Sequence, residues 1–309
     1  MASYDTTGGT TNTTQAAFIP ELWSDEIVAT YKKSLIAANL FKKMPWVGKK
    51  GDTVNIPSPS RGDASLKASL AAVTISSDTS SVIPVIINEH YEYSKFIEDI
   101  TEIQALASMR RHYTEDAGYA LARRMDTSLL QLGRGFNSGG GTAAYSGALS
   151  GADGTTAYVA AANTGLGALT DAAIRRTIQR LDDEDVPTDN RFLIIPPSSR
   201  NTLNGIGRYT EYNSVGEGGG ANTIRTGEVG NLYGVPVFVT TNADTTSGST
   251  ACRIALMGHR DSAVCITQMN VRSQTQYMQV NLATLYTADT LYGVKELRNL
   301  ACYALAVPA

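Results

Sequence analysis

The stretch IEDITEIQALASMRRHYTEDAGYALARRMDTSLLQL, residues 97–132, decides the fold. Apolar side chains recur at Ile97, Ile100, Ile103, Leu106, Met109, Tyr113, Ala117, Ala120, Leu121, Met125, Leu129 and Leu132. That is one stripe at helical spacing. Glu98, Asp99 and Glu102 at the start, and Arg123 and Arg124 near the end, complement a helix dipole. At about 1.5 Å per residue the helix spans roughly 54 Å, long for a compact domain, so it predicts a spine.

Upstream, residues 51–95 change character. Thr53–Ile56, Val73–Ser76 and the longer Ser81–Lys95 predict strands, with Pro57, Pro59 and Arg61-Gly62-Asp63 between them. This is a long hairpin with a loose tip. A lone two-stranded hairpin is marginal in water. Its apolar residues Val73, Ile75, Val82, Val85 and Ile87 therefore need another chain or domain to cover them. Further upstream, Leu22, Trp23, Ile27, Tyr31, Leu35 and Leu40 follow Pro20 at roughly helical spacing. Lys32, Lys33, Lys42, Lys43, Lys49 and Lys50 leave this region without an acid between Glu26 and Asp52. They read as a solvated face, or as a contact with an acidic neighbour or nucleic acid. Residues 1–17 are Thr/Gly-rich, without the basic start and apolar core of a secretion signal.

Downstream, 133–168 is rich in glycine, alanine and serine and reads as a long surface loop with room for a short strand. A helix follows over Asp171–Leu181, with Thr170 as N-cap. Asp182, Asp183, Glu184 and Asp185 end it. They read as a solvated helix end, a divalent-cation site or a partner for lysines of another subunit. Then come a buried strand Phe192–Ile195, a short helix after Pro197, a glycine-rich loop over 213–230 and a strand Val235–Thr241. Arg253–Met257, a helix or strand near 260–268, and strands from Val271 to Val307 complete the chain.

Composition narrows the function. The 309 residues carry a formal net charge of −3 and are 42% hydrophobic, which excludes disorder and a dedicated DNA-wrapping protein. Three cysteines exclude a disulfide framework. No run reaches the length of a membrane span. Catalytic signatures are missing: there is no G-x-S-x-G elbow and no phosphate loop. Cys252, His259 and Cys265 lack the tight ligand pair of a structural zinc site. Arg61-Gly62-Asp63 is ordinary turn chemistry as well as an adhesion tripeptide.

The order of these elements resembles the major capsid proteins of tailed bacteriophages, with the HK97 fold. Phe18-Ile19-Pro20-Glu21-Leu22-Trp23 onward looks like the family's arm, 51–95 like its extended E-loop and 97–132 like its spine helix. Gly227-Glu228-Val229-Gly230-Asn231-Leu232-Tyr233-Gly234-Val235-Pro236-Val237, followed by Thr241-Asn242, is similar to the family's G-x-x-G-x-x-x-G-φ-x-V stretch. Ala255–Arg260 and Tyr292-Gly293-Val294-Lys295, closing in Ala304–Val307, resemble later family segments.

The resemblance implies an α+β chain. The arm occupies 1–46 and the E-loop hairpin 47–96. A P-domain with the spine and an inserted glycine-rich loop covers 97–190, an A-domain 191–268, and strands returning to the P-domain 269–309. It implies a non-enzymatic major capsid protein of the virion, assembled in the host cytoplasm into hexamers and pentamers around double-stranded DNA. No cofactor or membrane is involved. The implied partners are other copies, a separate scaffolding protein, a portal and a decoration protein, with non-specific DNA contact. Lys67, Val73, Ile75, Val82, Val85 and Ile87 become hairpin contacts between subunits. The six lysines become arm or DNA contacts, and Asp182, Asp183, Glu184 and Asp185 inter-subunit acids. Some relatives crosslink a hairpin lysine to an asparagine, but no partner for Lys67 is identifiable, so crosslinking is not predicted. The alternatives are an encapsulin-like shell holding protein cargo, an adhesin, and an enzyme whose site joins residues distant in sequence.

Overall fold

The computed structural model describes residues 35–58, scattered positions from 62 to 73, then 81–100, 109–137, 145, 147–160, 162–206, 230–245 and 252–309. The described elements begin with α1 (Ala37–Leu40), β1 (Lys42–Pro45), β2 (Thr53–Ser58), β3 (Ser81–Ile86), β4 (Glu89–Glu98) and α2 (Met109–Gln131). Next come β5 (Leu149–Ser150), α3 (Asp171–Asp183), β6 (Arg191–Ile195), α4 (Pro197–Asn204), β7 (Asn231–Leu232) and β8 (Val235–Val239). Four strands close the chain: β9 (Cys252–His259), β10 (Ala263–Met278), β11 (Ala283–Glu296) and β12 (Cys302–Pro308).

Two sheets organise these strands. The first has four strands in the order β1-β10-β11-β4, built on the long antiparallel β10–β11 pair. Alternation along β4 and β11 sends Tyr91, Tyr93, Tyr286 and Ala288 to one face, where they pack on Ala117 and Leu121 of α2. The opposite face carries His90, Glu92, Ser94 and Phe96 and has no helix over it among the described residues.

The second sheet has six strands in the order β5-β12-β9-β6-β8-β7. β6 and most of β12 are buried on both faces, which is why they read as continuous apolar runs. On one face, Ile174 and Leu181 of α3 pack with Leu193, Ile195, Met257 and Leu305. On the other, Phe41, Leu129 and Leu130 pack with Phe192, Ile194, Leu256 and Ala304. One helix thus serves both sheets: α2 meets the first sheet with its middle and the second with its C-terminal turns.

Several sequence expectations change. Ile97 and Glu98 belong to β4, in register with Thr284 and Ala283, so the helical stripe does not begin at Ile97. A buried apolar residue there satisfies strand alternation as well as helical spacing. Residues 101–108 lie outside the described residues. The long strand Ser81–Lys95 is two strands. β3 pairs with β2, while β4 pairs with β11 in another sheet. Between them the chain crosses Gly293, where a Cβ would lie 2.4 Å from the Ile86 carbonyl oxygen.

The region 133–168 is not simply surface loop, since Phe136, Tyr145, Ala148 and Tyr158 are buried in the main core. Its glycines let backbone meet backbone: a Cβ on Gly147 would sit 2.4 Å from the Phe136 carbonyl oxygen. The short strand allowed there is β5, and the region near 260–268 is a 3₁₀ turn leading into β10. The expected helix over Asp171–Leu181 runs on to Asp183, and the Thr170 side chain accepts a hydrogen bond from Ala173 N at 3.2 Å. Of the family-like stretch, 227–229 lie outside the described residues, and Asn231 to Val237 enter the β7–β8 hairpin, with Tyr233 and Gly234 at φ 52° and 82° in a tight turn. β10 and β11 share the first sheet with β4, whereas β12 lies in the second beside β9.

Candidate functional site

The candidate site taken from the described residues is the surface through which the chain can meet others. The hairpin comes first. β2 and β3 pair from Thr53↔Ile86 to Ser58↔Ser81. Alternation turns Val54 and Val85 inward, where with Ile87 they close over Val264 and Ile266 of β10. Val85 is fully buried and Ile87 nearly so. Both are therefore corrected from inter-subunit contacts to root residues of the hairpin's own anchorage. Val82 at 55% exposure, Ile86 at 54% and Val73 at 68% remain open. Val73 lies outside any strand, Lys67 is exposed, and Ile75 falls outside the described residues. Leu66 and Leu70 are also fully exposed, and the sequence reading passed over them. Their signal was present as two leucines four apart in a polar loop.

The basic residues divide. Lys32 and Lys33 lie outside the described residues. Lys42 and Lys43 project from β1 at one end of the first sheet, and Lys49 and Lys50 follow in the next loop. Lys42 lies 3.8 Å from Asp261 with both side chains about half exposed, a pair that contributes little. Lys43 Nζ donates to Asn39 Oδ1 at 3.1 Å, and Lys49 Nζ sits 4.0 Å from the Trp46 ring centroid. Gln268 Nε2 donates to the Lys49 and Gly51 carbonyls at 2.8 and 2.9 Å, tying this loop to β10.

The acidic run terminates a helix. Asp185 has φ 53°, its N–H donates to the Asp182 carbonyl, and Val186 N–H donates to that of Leu181. This is a Schellman ending with aspartate where glycine is usual. Asp182 accepts from Arg191 Nη2 at 2.7 Å, and the Arg191 side chain is only 3% exposed. Asp182 is thus already engaged within its own chain. Asp183, Glu184 and Asp185 are exposed.

Polar contacts fix the frame behind these surfaces. The Asp126 carboxylate on α2 is buried. It accepts from Ile36 N at 3.0 Å, Ala37 N at 2.7 Å and Asn242 Nδ2 at 2.9 Å. It therefore caps α1 from a distance and joins it to the loop after β8. Arg134 Nε donates to Asp244 Oδ2 at 2.8 Å, and Tyr145 donates to the same carboxylate. Burial first, then the Asp244 charge, raises the Tyr145 phenol well above its usual value. On the uncovered face, Asp289 accepts from Arg272 Nε at 2.8 Å and lies 3.1 Å from His90 Nε2. The Arg272 hydrogen bonds hold the Asp289 carboxyl below its ordinary range. These groups line a trough of about 370 Å³ with Glu92, Gln274 and Thr287.

The three cysteines are buried, with burial raising the Cys265 thiol to about 11. His259 Nδ1 accepts from Asp261 N at 3.1 Å, capping the 3₁₀ turn. Among the described residues no His, Cys, Asp and Glu side chains converge on a metal position. None of their helices is long and apolar enough to cross a membrane.

Comparison with known proteins places this architecture. A family model described as phage capsid protein matches residues 46–242. Comparison with curated proteins finds none that matches. Among solved structures, one from Mycobacterium phage Che8 superposes with a TM-score of 0.73 at 21% identity, covering 93% of this chain and 97% of that one. The capsid of cyanophage P-SCSP1u gives 0.73 at 18% identity, covering 94% and 93%. A native GTA particle capsid gives 0.63 at 12%, covering both chains completely. At these identities the structural matches speak to fold.

Proposed function

The chain belongs to the phage capsid protein family, and from that premise we propose that its copies form the hexamers and pentamers of an icosahedral head around double-stranded DNA. It is a major capsid protein with the HK97-like α+β fold, a structural subunit of a self-assembling virion shell. The observation that carries the finer reading is the reach of the family match, from the root of the hairpin through the spine helix into the second sheet.

In this reading the first sheet with α2 is the peripheral domain and the second sheet with α3 and α4 the axial domain, which moves α3 and β12 out of the peripheral bounds 97–190 and 269–309 expected from the sequence. The hairpin reaches a neighbouring copy through Val73, Val82 and the leucines beside Lys67. Full burial of each such side chain contributes roughly 1.5–3 kcal/mol, so modest contacts accumulate around a closed shell. The exposed lysines at 42, 43, 49 and 50 meet acidic neighbours or packaged DNA without sequence preference. Asp183, Glu184 and Asp185 are the acids free to face another subunit. A separate scaffolding protein, a portal and a decoration protein complete the partners, with assembly in the host cytoplasm.

Neither protein-cargo storage nor adhesion is favoured. Arg61 and Asp63 of the adhesion tripeptide lie outside the described residues. The test is expression of the chain alone and with its neighbouring genes, followed by negative-stain electron microscopy and nucleic-acid analysis. Closed shells that hold DNA when the packaging genes are present are expected. Shells that hold only protein would overturn the DNA-container reading, and a monomer under every condition would overturn the shell reading.

A further inference from the structure

The chain holds one Asp-Gly step, Asp153-Gly154, and one Asn-Gly step, Asn204-Gly205. At such a step the glycine nitrogen can attack the side-chain carbonyl carbon of the residue before it. Glycine has no Cβ to obstruct the five-membered ring that forms. The fold treats the two steps differently.

Asp153 is closed to this reaction. Its carboxylate accepts from Thr155 N at 2.9 Å, from Thr156 N at 3.0 Å and from the Thr156 hydroxyl. The hydroxyl bond first, then the backbone bonds, hold the carboxyl well below its usual range. It stays ionised, and a carboxylate is a poor electrophile. Gly154 N donates to the Ser150 carbonyl at 2.9 Å. Both partners of the ring closure are engaged.

Asn204 is the last residue of α4. Its amide is an electrophile without any change of protonation. The Oδ1 atom is buried and has no hydrogen-bond partner, so no donor fixes that carbonyl. Gly205 is exposed, which gives water access to the step. Gly205 N donates to the Thr202 carbonyl at 3.1 Å, and Ile206 N to that of Leu203 at 3.0 Å. Both bonds span three residues, the poorer geometry with which helix ends close. While they hold, Gly205 sits at φ −80° and ψ −8° with its N–H turned back along the helix. Fully buried Leu203 seats this turn in the core of the second sheet. Helix ends fray, and local opening costs less than global unfolding.

We propose that Asn204 is a deamidation site of this chain and that the last turn of α4 is the gate that times it. When the turn opens, Gly205 N bonds to Asn204 Cγ. The amide nitrogen takes up the proton that Gly205 N gives up and leaves as ammonia, and the product is a succinimide. Water then opens the ring to aspartate or isoaspartate. Aspartate puts a negative charge at a helix C-terminus, where the dipole disfavours it. Isoaspartate lengthens the backbone by a methylene and cannot rebuild the turn. Either product loosens α4, which is tied to β12 by Ser198 Oγ donating to the Pro308 carbonyl at 2.8 Å. The site does not depend on the shell reading.

The test follows the full chain in warm, mildly alkaline buffer by peptide mass mapping. The peptide holding Asn204 gains the mass of amide-to-acid conversion. The folded chain converts roughly tenfold more slowly than the urea-unfolded chain, because only the opened fraction reacts. Gly205→Ala suppresses the conversion in both states. Equal rates in the two states, or no conversion of Asn204 in the folded chain, overturns the proposal.

Two variants separate the gate from the site. Leu203→Val trims the buried anchor of the turn while the chain stays folded, and conversion of Asn204 speeds up several-fold. An unchanged rate overturns the gate. Asn204→Asp carries the first product from the start and melts below the parent. An unchanged melting temperature overturns the claim that deamidation loosens α4.

Discussion

Asp126 shows how a single buried carboxylate organises this subunit. Three donors from two separate segments converge on it, and none is a formal cation. Replacing it with alanine strands those donors away from water. We expect Asp126→Ala to cost about 3 kcal/mol in chemical denaturation, because unsatisfied buried donors carry their full desolvation penalty. Asp289 makes a pH prediction. Its carboxyl is held below the ordinary aspartate range, chiefly by Arg272. The stabilisation is therefore complete above the unfolded aspartate pKa and disappears as pH falls through the lower folded value. Melting curves of Asp289→Asn and the parent should differ at neutral pH and converge in strong acid. A constant difference across that range would refute the assignment.

Among the elements, the hairpin divides into an anchored root and an open outer face. Val85→Asp places a charge among Val54, Val264 and Ile266. It should destabilise the subunit itself by several kcal/mol, on the order of the cost of burying an unpaired charge. Val82→Asp touches an exposed position of the same strand. It should leave the melting temperature unchanged within about 2 °C, the shift that roughly 1 kcal/mol produces in a chain of this size, and reduce particle yield in electron micrographs. Equal thermal loss in both variants would contradict the division. The sequence pattern showed that the hairpin needed a covering surface. It did not show that part of the cover is its own β10, because register across a turn of unknown length is not legible from alternation.

Across the molecule, α2 couples the two sheets: Ala117 and Leu121 serve one core, Leu129 and Leu130 the other. Leu129→Ala should cost roughly 2–5 kcal/mol, the range for a fully buried leucine. It should lower the stability of both sheets in one calorimetric transition. Separate melting of two units would show that the helix does not transmit the loss.

Local periodicity and end signals carried far at this level. The stripe through Ala117, Leu121, Leu129 and Leu132 marked the spine, Thr170 marked the start of α3, and the apolar run Phe192–Ile195 marked a doubly covered strand. Each depends on neighbours close in sequence, where side-chain direction follows from helix or strand geometry alone. The capsid resemblance added order, and the family match agrees with it. Long-range packing decided the remainder. Ser81–Lys95 breaks because Gly293, some two hundred residues away, admits the backbone at Ile86. The glycine-rich 133–168 is partly core because its backbone packs against itself and β12. Asp182 is spoken for because Arg191 folds back onto it. A one-dimensional pattern records which residues prefer burial or a turn. Which of them find cover within the chain, and which are left for another copy, depends on contacts that only the folded backbone creates.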